Sequence, residues 1–337
     1  MKRGHLRHRG ADGWRAVVAL AARTWYATGK AETGKGHSGY RGGPHDVPSK
    51  EEDVHIVLKS KFFHTLSVPE LAVKARELGF DGIDVCARPG HPVNPANVET
   101  ALPQAVTAWK AQGLTCPLAT APVTLANPDA PEVEPLYAGC RAAGVPRVKI
   151  GFFPFKPGED YWALVDAARR ALEGFARVGE KHGVQTVYQV HSGPVLGSNC
   201  AGLMHLLRGL DPHWVGAYPD LGHMVLDGED YPMGLAMVRE YLSIVAVKDA
   251  YHAPQPAGSE PLFVPRFVKL GSGAVNWRRA LGALKALGFD GAFSVHTEYD
   301  FDESIIRQVG YADTTPPHLE EWARADAAYL RKVWAQL

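Results

Sequence analysis

The sequence lacks the features of several protein classes. It contains no run of eighteen apolar residues, so we expect no membrane-spanning helix. Its 36 basic and 36 acidic side chains cancel, which argues against a nucleic-acid-binding protein, because such a protein needs a basic surface. Its four cysteines are widely spaced and form no CxxC pair, so neither a zinc knuckle nor a thioredoxin-type motif is expected. Hydrophobic residues make up 46% of the chain, which is enough for a folded protein.

The charge is unevenly distributed. Residues 1–50 hold ten basic and three acidic side chains, whereas the remaining 287 residues hold 26 and 33. The first fifty residues are also rich in Gly, His and Ser. We therefore interpret residues 1–52 as a basic, disordered tail, or as a degenerate export leader, that is separate from a folded domain at 53–337.

A strand-and-helix rhythm recurs eight times from residue 54 onward. An amphipathic stretch ends in a glycine, and a short strand follows within a few residues. This alternation predicts a parallel sheet with helices outside it, and eight units suit an α/β fold of the (β/α)8 TIM-barrel type. The predicted strands are 54–58, 82–86, 114–119, 147–152, 185–190, 214–219, 243–248 and 291–297.

A doubly wound open sheet is the alternative fold. It would normally place a glycine-rich nucleotide loop after the first strand. The segment VLKSKFFHTL that follows the first strand contains no glycine, so the pattern favours the barrel.

Polar side chains end most of the predicted strands with the parity that directs them into the barrel. In this fold the chemistry lies at the carboxyl ends of the strands, so these residues are site candidates. Imidazole and carboxylate groups together suit a divalent ion such as manganese, zinc or cobalt, and a lysine beside them suits an oxyanion. The candidates are Arg88, His91, Lys149, Gln189, His191, Asp220, His223, Lys248, His296 and Glu298.

Each candidate also has a simpler interpretation. A single histidine at a strand end is often a surface or capping residue. Asp220 could cap the turn that follows it, and Lys248 with Asp249 could form a solvated ion pair of little energetic value. The coincidence of inward parity on four consecutive strands favours a functional site.

Several segments carry a family resemblance. They are LGFDGIDV, DLGH, VKD, LGSGAVNW and LKALGFDGAFSVHTEYD. With them, residues 54–335 resemble the xylose-isomerase-like TIM-barrel superfamily of sugar-phosphate isomerases and epimerases, ketose 3-epimerases and dehydratases. RPGHPVNP, YQVHSG and SVHTEYD resemble a branch of it described as sugar isomerase-like.

The resemblance implies four metal ligands at strand ends, Glu, Asp, His and Glu. By position they fall on Gln189, Asp220, Ala246 and His296, so only Asp220 matches by type. The resemblance therefore implies either a rebuilt divalent-metal site on Gln189, Asp220 and His296, or different chemistry. Glu298 could orient His296 or serve as the missing base, and the family histidine after the aspartate corresponds to His223.

The leading hypothesis is a metal-assisted isomerase or epimerase that removes a proton next to the carbonyl of a sugar. His296, Glu298, His191 and Lys248 are the catalytic candidates, with burial drawing the pKa of Lys248 toward neutral pH. Substrate would bind through Arg88, His91, His223 and Lys149. The alternatives are a lyase or dehydratase acting on an oxidised sugar, and a sugar-binding barrel or accessory subunit without catalysis. We expect a cytoplasmic protein, or an exported one if the tail is a leader, and leave a homo-oligomer open.

Overall fold

The structure is a computed structural model that describes residues 54–299 and 318–337. It confirms the predicted barrel. The eight parallel strands follow the order β6-β5-β4-β3-β2-β1-β10-β7, and the sheet closes through isolated parallel bridges next to β6 and β7. The barrel strands are β1 (Ile56–Lys59), β2 (Gly82–Cys86), β3 (Thr115–Thr120), β4 (Arg147–Lys149), β5 (Gln185–Gln189), β6 (Val215–Tyr218), β7 (Val245–Val247) and β10 (Phe293–Val295).

Helices surround the barrel, and none within the described residues is both long and apolar enough to cross a membrane. The longest of those described begins after Asp160, whose side chain accepts hydrogen bonds from its first turn, and ends at Gly183 with φ of 66°. The helices are α1 (Val68–Glu77), α2 (Val98–Lys110), α3 (Val133–Ala143), α4 (Tyr161–His182), α5 (Cys200–Leu207), α6 (Leu221–Leu226), α7 (Tyr231–Met237), α8 (Trp277–Ala286) and α9 (Leu319–Trp334).

Side-chain parity separates two cores. The alternate residues of the strands that face outward pack against the helices in one large apolar core. A smaller cluster fills the barrel interior, with Val57, Leu118, Val187, Tyr218 and Ala246 among its members. Because the inward parity continues to the strand ends, it delivers the polar residues there to the barrel mouth.

An antiparallel ribbon was not predicted from the sequence. It consists of β8 (Asp249–Pro254) and β9 (Phe263–Val268), which pair along their whole length. The sequence between them, QPAGSEPL, is longer than a two-residue hairpin turn and carries no Asn-Gly or Asp-Gly signal. The ribbon follows Lys248 directly, so it leaves the barrel at the mouth.

Asp249 is a buried anchor rather than half of a solvated ion pair. It has no exposed surface and accepts hydrogen bonds from the backbone of Ala250, Gly271, Gly273 and Val275 and from the Trp277 indole. Lys248 pairs elsewhere, with Glu298. The carboxylate therefore ties the end of β7 to the LGSGAVNW loop.

Asp326 in α9 makes stability depend on pH. Burial raises the pKa of its carboxyl to about 7, although Tyr299 and the Leu270 backbone donate hydrogen bonds to it. The folded protein holds this proton up to about pH 7, whereas the unfolded chain loses it near pH 4. The stabilisation linked to the proton is complete below pH 4 and is lost as the pH rises to 7.

We expect the unfolding free energy of the wild type to include a decline of up to about 1.4 kcal/mol per pH unit in that window. In Asp326→Asn this contribution should be absent. Urea unfolding of both proteins between pH 4.5 and pH 8 measures the difference. Parallel stability curves would show that Asp326 ionises normally in the folded state.

Two segments of the chain lie outside the described residues. Residues 1–52, interpreted above as a tail or leader, and the segment 300–317 are not among the described residues.

Candidate functional site

A cavity of about 270 Å³ opens at the carboxyl ends of the strands. Eight of the ten residues predicted for the site line it. The other two, Asp220 and His223, are buried beneath its lining. The eight lining residues are Arg88, His91, Lys149, Gln189, His191, Lys248, His296 and Glu298.

Lys248 lies at the centre of an ion-pair network. Its Nζ lies 2.7 Å from Glu298 Oε2 and 3.6 Å from Asp220 Oδ2. Burial alone would lower the pKa of Lys248, but the two carboxylates outweigh it and the pKa is raised above its ordinary value. This is opposite to the direction expected from the sequence, and it keeps Lys248 charged.

A glycine makes room for this lysine. A Cβ atom on Gly222 of the DLGH motif would lie 2.6 Å from Lys248 Cγ, closer than side-chain atoms pack. The motif therefore lets α6 approach the end of β7, which brings Asp220 and Lys248 together.

Glu298 accepts hydrogen bonds from two lysines. Its Oε1 accepts a hydrogen bond from Lys61 Nζ at 2.7 Å, while Oε2 accepts one from Lys248. Burial disfavours its charge, but Lys248 and Lys61 outweigh burial and hold the pKa of Glu298 well below its ordinary value. Glu298 is therefore an ionised carboxylate with both oxygens engaged.

Asp220 caps the short helix α6, as the simpler interpretation of this residue proposed. Its Oδ1 accepts hydrogen bonds from the backbone of Gly222 and His223, and its Oδ2 accepts one from the Gln189 amide at 2.7 Å. Burial raises the pKa of Asp220, and Lys248 opposes that shift. Both oxygens thus have protein donors.

His296 is buried and neutral. Its Nε2 lies 3.2 Å from Lys59 Nζ and 3.0 Å from Tyr218 Oη, so its lone pair faces two donors. Burial, reinforced by Lys59 and Lys248, holds the pKa of His296 well below its ordinary value. Its Nδ1 has no hydrogen-bond partner within the described residues and lies 3.6 Å from Asp220 Oδ2.

His191 differs from His296 in which ring nitrogen the protein engages. Its Nδ1 donates to the Ser192 carbonyl at 2.8 Å, which leaves Nε2 as the acceptor nitrogen. Its ring lies against His223, with centroids 3.8 Å apart, and the His223 Nδ1 meets the Ser192 hydroxyl. Burial and the nearby charge of Lys248 together lower the pKa of His191 to about 3. His191 is therefore a neutral imidazole in the wall of the cavity.

Basic side chains from two further strands also line the cavity. Lys149 is buried at the end of β4, and Arg88 follows β2, with its Nε donating to the Ala121 carbonyl. His91 lies beside His64, and burial together with Arg88 lowers the pKa of His91 to about 4, so its imidazole is neutral.

The side chains do not fit a divalent metal ion as they stand. Within residues 54–299 and 318–337, no group of three His, Cys, Asp or Glu side chains could hold one. Gln189 turns its amide nitrogen toward Asp220, and the Lys248 ammonium lies beside the oxygen that a metal would take. Of the predicted ligands Gln189, Asp220 and His296, the one carboxylate, Asp220, has both oxygens occupied by protein donors and a lysine beside it, so no step below depends on a metal.

Sequence reasoning missed Lys59 and Lys61, which also line the cavity. Lys59 ends β1 with the same inward parity as Val57 in the barrel interior. The same rule that selected Lys248 would have found it. Lys61 lies in the 3-10 turn after the strand, where parity gives no guide.

The described fold resembles sugar-epimerase structures at low sequence identity, which shows a shared fold. A structure of L-ribulose 3-epimerase matches with a TM-score of 0.64 and 15% identity, over 84% of this chain and 95% of that one. The 3-keto-D-glucoside 4-epimerase of E. coli matches with 0.59 and 15%, over 83% and 99%. A probable 3-DHS dehydratase of Bacillus anthracis matches with 0.58 and 14%, over 82% and 98%.

Sequence comparison gives the family. No curated protein sequence matches the chain. The family model described as xylose isomerase-like TIM barrel matches residues 72–333, which is most of the barrel. The chain therefore belongs to the xylose isomerase-like TIM barrel family.

Proposed function

We propose that this protein is an enzyme of the sugar isomerase and epimerase class that removes a proton from the carbon next to a carbonyl. One observation carries the proposal. A lysine held in its charged form and a neutral histidine with an accepting nitrogen line the same cavity at the mouth of the barrel.

Lys248 supplies the electrophile. Removal of a proton beside a carbonyl places negative charge on the carbonyl oxygen, and a buried ammonium stabilises that charge more than water does. Asp220 and Glu298 keep Lys248 protonated and hold its position. The lysine therefore carries out the task that the family resemblance assigned to a divalent metal.

His191 accepts the proton. Its Nδ1–H is fixed by the Ser192 carbonyl, so its Nε2 carries the lone pair. Its pKa of about 3 belongs to a cavity without substrate, where burial and Lys248 oppose protonation. Negative charge that develops on the substrate next to the imidazole raises that pKa and draws the proton to His191.

The other two basic candidates are less suited to this role. Glu298 has both oxygens engaged by lysines, and His296 has its Nε2 facing Lys59 and Tyr218. We assign these two residues to positioning, Glu298 for Lys248 and His296 for the floor of the cavity.

The similar structures support the reaction class. Two of those named above are epimerases and one is a probable dehydratase, and epimerisation, isomerisation and elimination can all begin with the same proton transfer. We favour isomerisation or epimerisation of a sugar or of an oxidised sugar.

The test is exchange of substrate hydrogen with solvent. The protein is incubated in D2O, with EDTA present throughout, against a panel of keto sugars and keto acids, and proton NMR reports the loss of the signal next to the carbonyl. We expect exchange with the wild type and a decrease of roughly 100-fold or more in His191→Gln, since a general base contributes about that much. His205→Gln, on the exposed surface, is the matched control.

Two results would contradict the assignment. Exchange by His191→Gln at the wild-type rate would remove His191 as the base. Binding of a panel member without any exchange would support a sugar-binding barrel that has no catalytic activity.

A further inference from the structure

Three basic side chains in one half of the cavity have no carboxylate partner among the described residues. Lys59 ends β1, Arg88 follows β2 and Lys149 ends β4, and all three line the cavity. We call these three residues the anion cluster. None of them forms a salt bridge within the described residues.

Lys149 is a deeply buried member of the cluster, and its surroundings disfavour its charged form. Only 1% of its surface reaches solvent, and its Nζ lies 3.5 Å from the centroid of the Phe152 ring. No hydrogen bond or ion pair found among the described residues involves its Nζ, and the side chain lines the cavity. Burial lowers the pKa of Lys149 well below its ordinary value, and Lys59 and Arg88 lower it further. Burial of an ammonium without a counter-ion is costly, and an anionic ligand in the cavity would offset that cost.

The other members use only part of their donor capacity on neutral groups. Lys59 Nζ contacts His296 Nε2, and Arg88 donates through Nε to the Ala121 carbonyl. The terminal nitrogens of Arg88 have no protein acceptor in the described part of the chain. A guanidinium with both terminal nitrogens available to donate suits a planar carboxylate or a phosphate.

The carboxylates nearby do not neutralise the cluster. Glu298 is the one carboxylate in the described lining, and its oxygens are engaged by Lys61 and Lys248. Asp84 lies beneath the cluster, but its oxygens accept hydrogen bonds from Thr120 and Ser294. Asp84 raises the pKa of Lys59 and of Lys149, but one carboxylate does not offset three basic side chains. The lining therefore keeps a surplus of positive charge.

We propose that the anion cluster binds a carboxylate or phosphate group of the substrate, so that the substrate is an anionic sugar derivative rather than a neutral sugar. The orientation of the substrate in this inference rests on the proposed function. The cluster occupies the half of the mouth formed by β1, β2 and β4, whereas His191 and Lys248 follow β5 and β7. The anionic group enters the first half, and the carbonyl lies in the second.

Binding of matched ligands tests the proposal without requiring turnover. The probes are D-fructose, D-fructose 6-phosphate and 5-keto-D-gluconate, with inorganic phosphate as a further arm. Calorimetry gives the Kd and a thermal melt gives the shift in Tm. We expect at least one of the two charged sugars to bind and to raise Tm by several degrees, and D-fructose to do neither. Whichever binds identifies the anion as a phosphate or a carboxylate.

Lys149→Met provides the second readout. Since the change removes a buried amine that has no carboxylate partner among the described residues, we expect the free protein to melt at a higher temperature than the wild type. The same change should weaken binding of the charged sugar by roughly 10- to 100-fold, the worth of one hydrogen bond to a charged group. Arg88→Met should weaken binding similarly, and Lys110→Met, on the exposed end of α2, should change neither property.

The outcomes separate the two proposals. Equal binding of D-fructose and the charged sugars, or unchanged affinity in both Lys149→Met and Arg88→Met, would refute the anion cluster. If the anion cluster were refuted in this way, exchange of neutral sugars in D2O would still support the proposed function. Tight binding of an anionic sugar with no exchange would keep the anion cluster and refute the proposed function.

Discussion

Replacement of Lys248 by methionine is expected to lower the rate of solvent exchange by roughly 100- to 1,000-fold, the cost of removing one preorganised donor to a developing oxyanion. Methionine keeps the length of the side chain and removes its charge. The binding of an anionic sugar should weaken far less than the exchange rate falls, because the anion cluster lies in the other half of the mouth. Exchange kinetics and calorimetry on the same preparation measure the two effects.

The same substitution should destabilise the protein. Removal of one partner of a buried ion pair leaves the other charge uncompensated, at a cost of about 3–5 kcal/mol. Here Glu298 keeps Lys61, whereas Asp220 keeps its hydrogen bonds, so we expect the lower end of that range. Circular dichroism establishes that the variant is folded before its kinetics are compared.

Lys61→Met is the matched control, because it removes the other lysine from Glu298 and leaves Lys248 in place. It should retain most of the exchange rate. Equal rates in the wild type and in folded Lys248→Met would show that the ammonium is not the electrophile. Equal losses in Lys61→Met and Lys248→Met would show that the two lysines act only through Glu298.

Replacement of Asp249 by alanine is expected to cost about 4–5 kcal/mol of unfolding free energy, because it removes an acceptor from several buried donors at once. Four backbone N–H groups and the Trp277 indole lose their partner. The LGSGAVNW loop would then lose its attachment to the end of β7. Urea unfolding monitored by tryptophan fluorescence gives the midpoint and the slope.

Asp230→Ala provides the comparison, since Asp230 also accepts from a helix backbone but its side chain is 42% exposed. Its loss should be much smaller, because water can replace an exposed acceptor. A change in Asp249→Ala no larger than that in Asp230→Ala would show that the loop holds its conformation without the carboxylate.

Strand parity predicted several of the residues that line the cavity. Parity along the strands correctly brought Gln189, His191, Lys248, His296 and Glu298 to one cavity. Parity works because a strand alternates its side chains whatever surrounds it. The ribbon after Lys248 escaped prediction, since its two strands are joined by a loop without a strong turn signal.

The state of charge of the site could not be predicted. The sequence suggested that burial draws Lys248 toward neutral pH, but two carboxylates raise its pKa. One of them, Glu298, lies fifty positions away along the chain, and it is shared with Lys61 at a separation of 237. A pKa depends on distances between such groups, and no local pattern contains those distances.

The sequence by itself determined the barrel, its family and the collection of polar residues at its mouth, because hydrophobic periodicity and strand-end position are local properties of a chain. Only the tertiary structure decided which of those residues pair. It placed Lys248 beside Asp220, one of the implied metal ligands, and among the described residues it left the buried Lys149 without a carboxylate partner. The reason is physical. Two side chains pair only when their polar atoms lie within a few ångströms of each other, and the closed barrel sets that distance for strands that are remote in sequence.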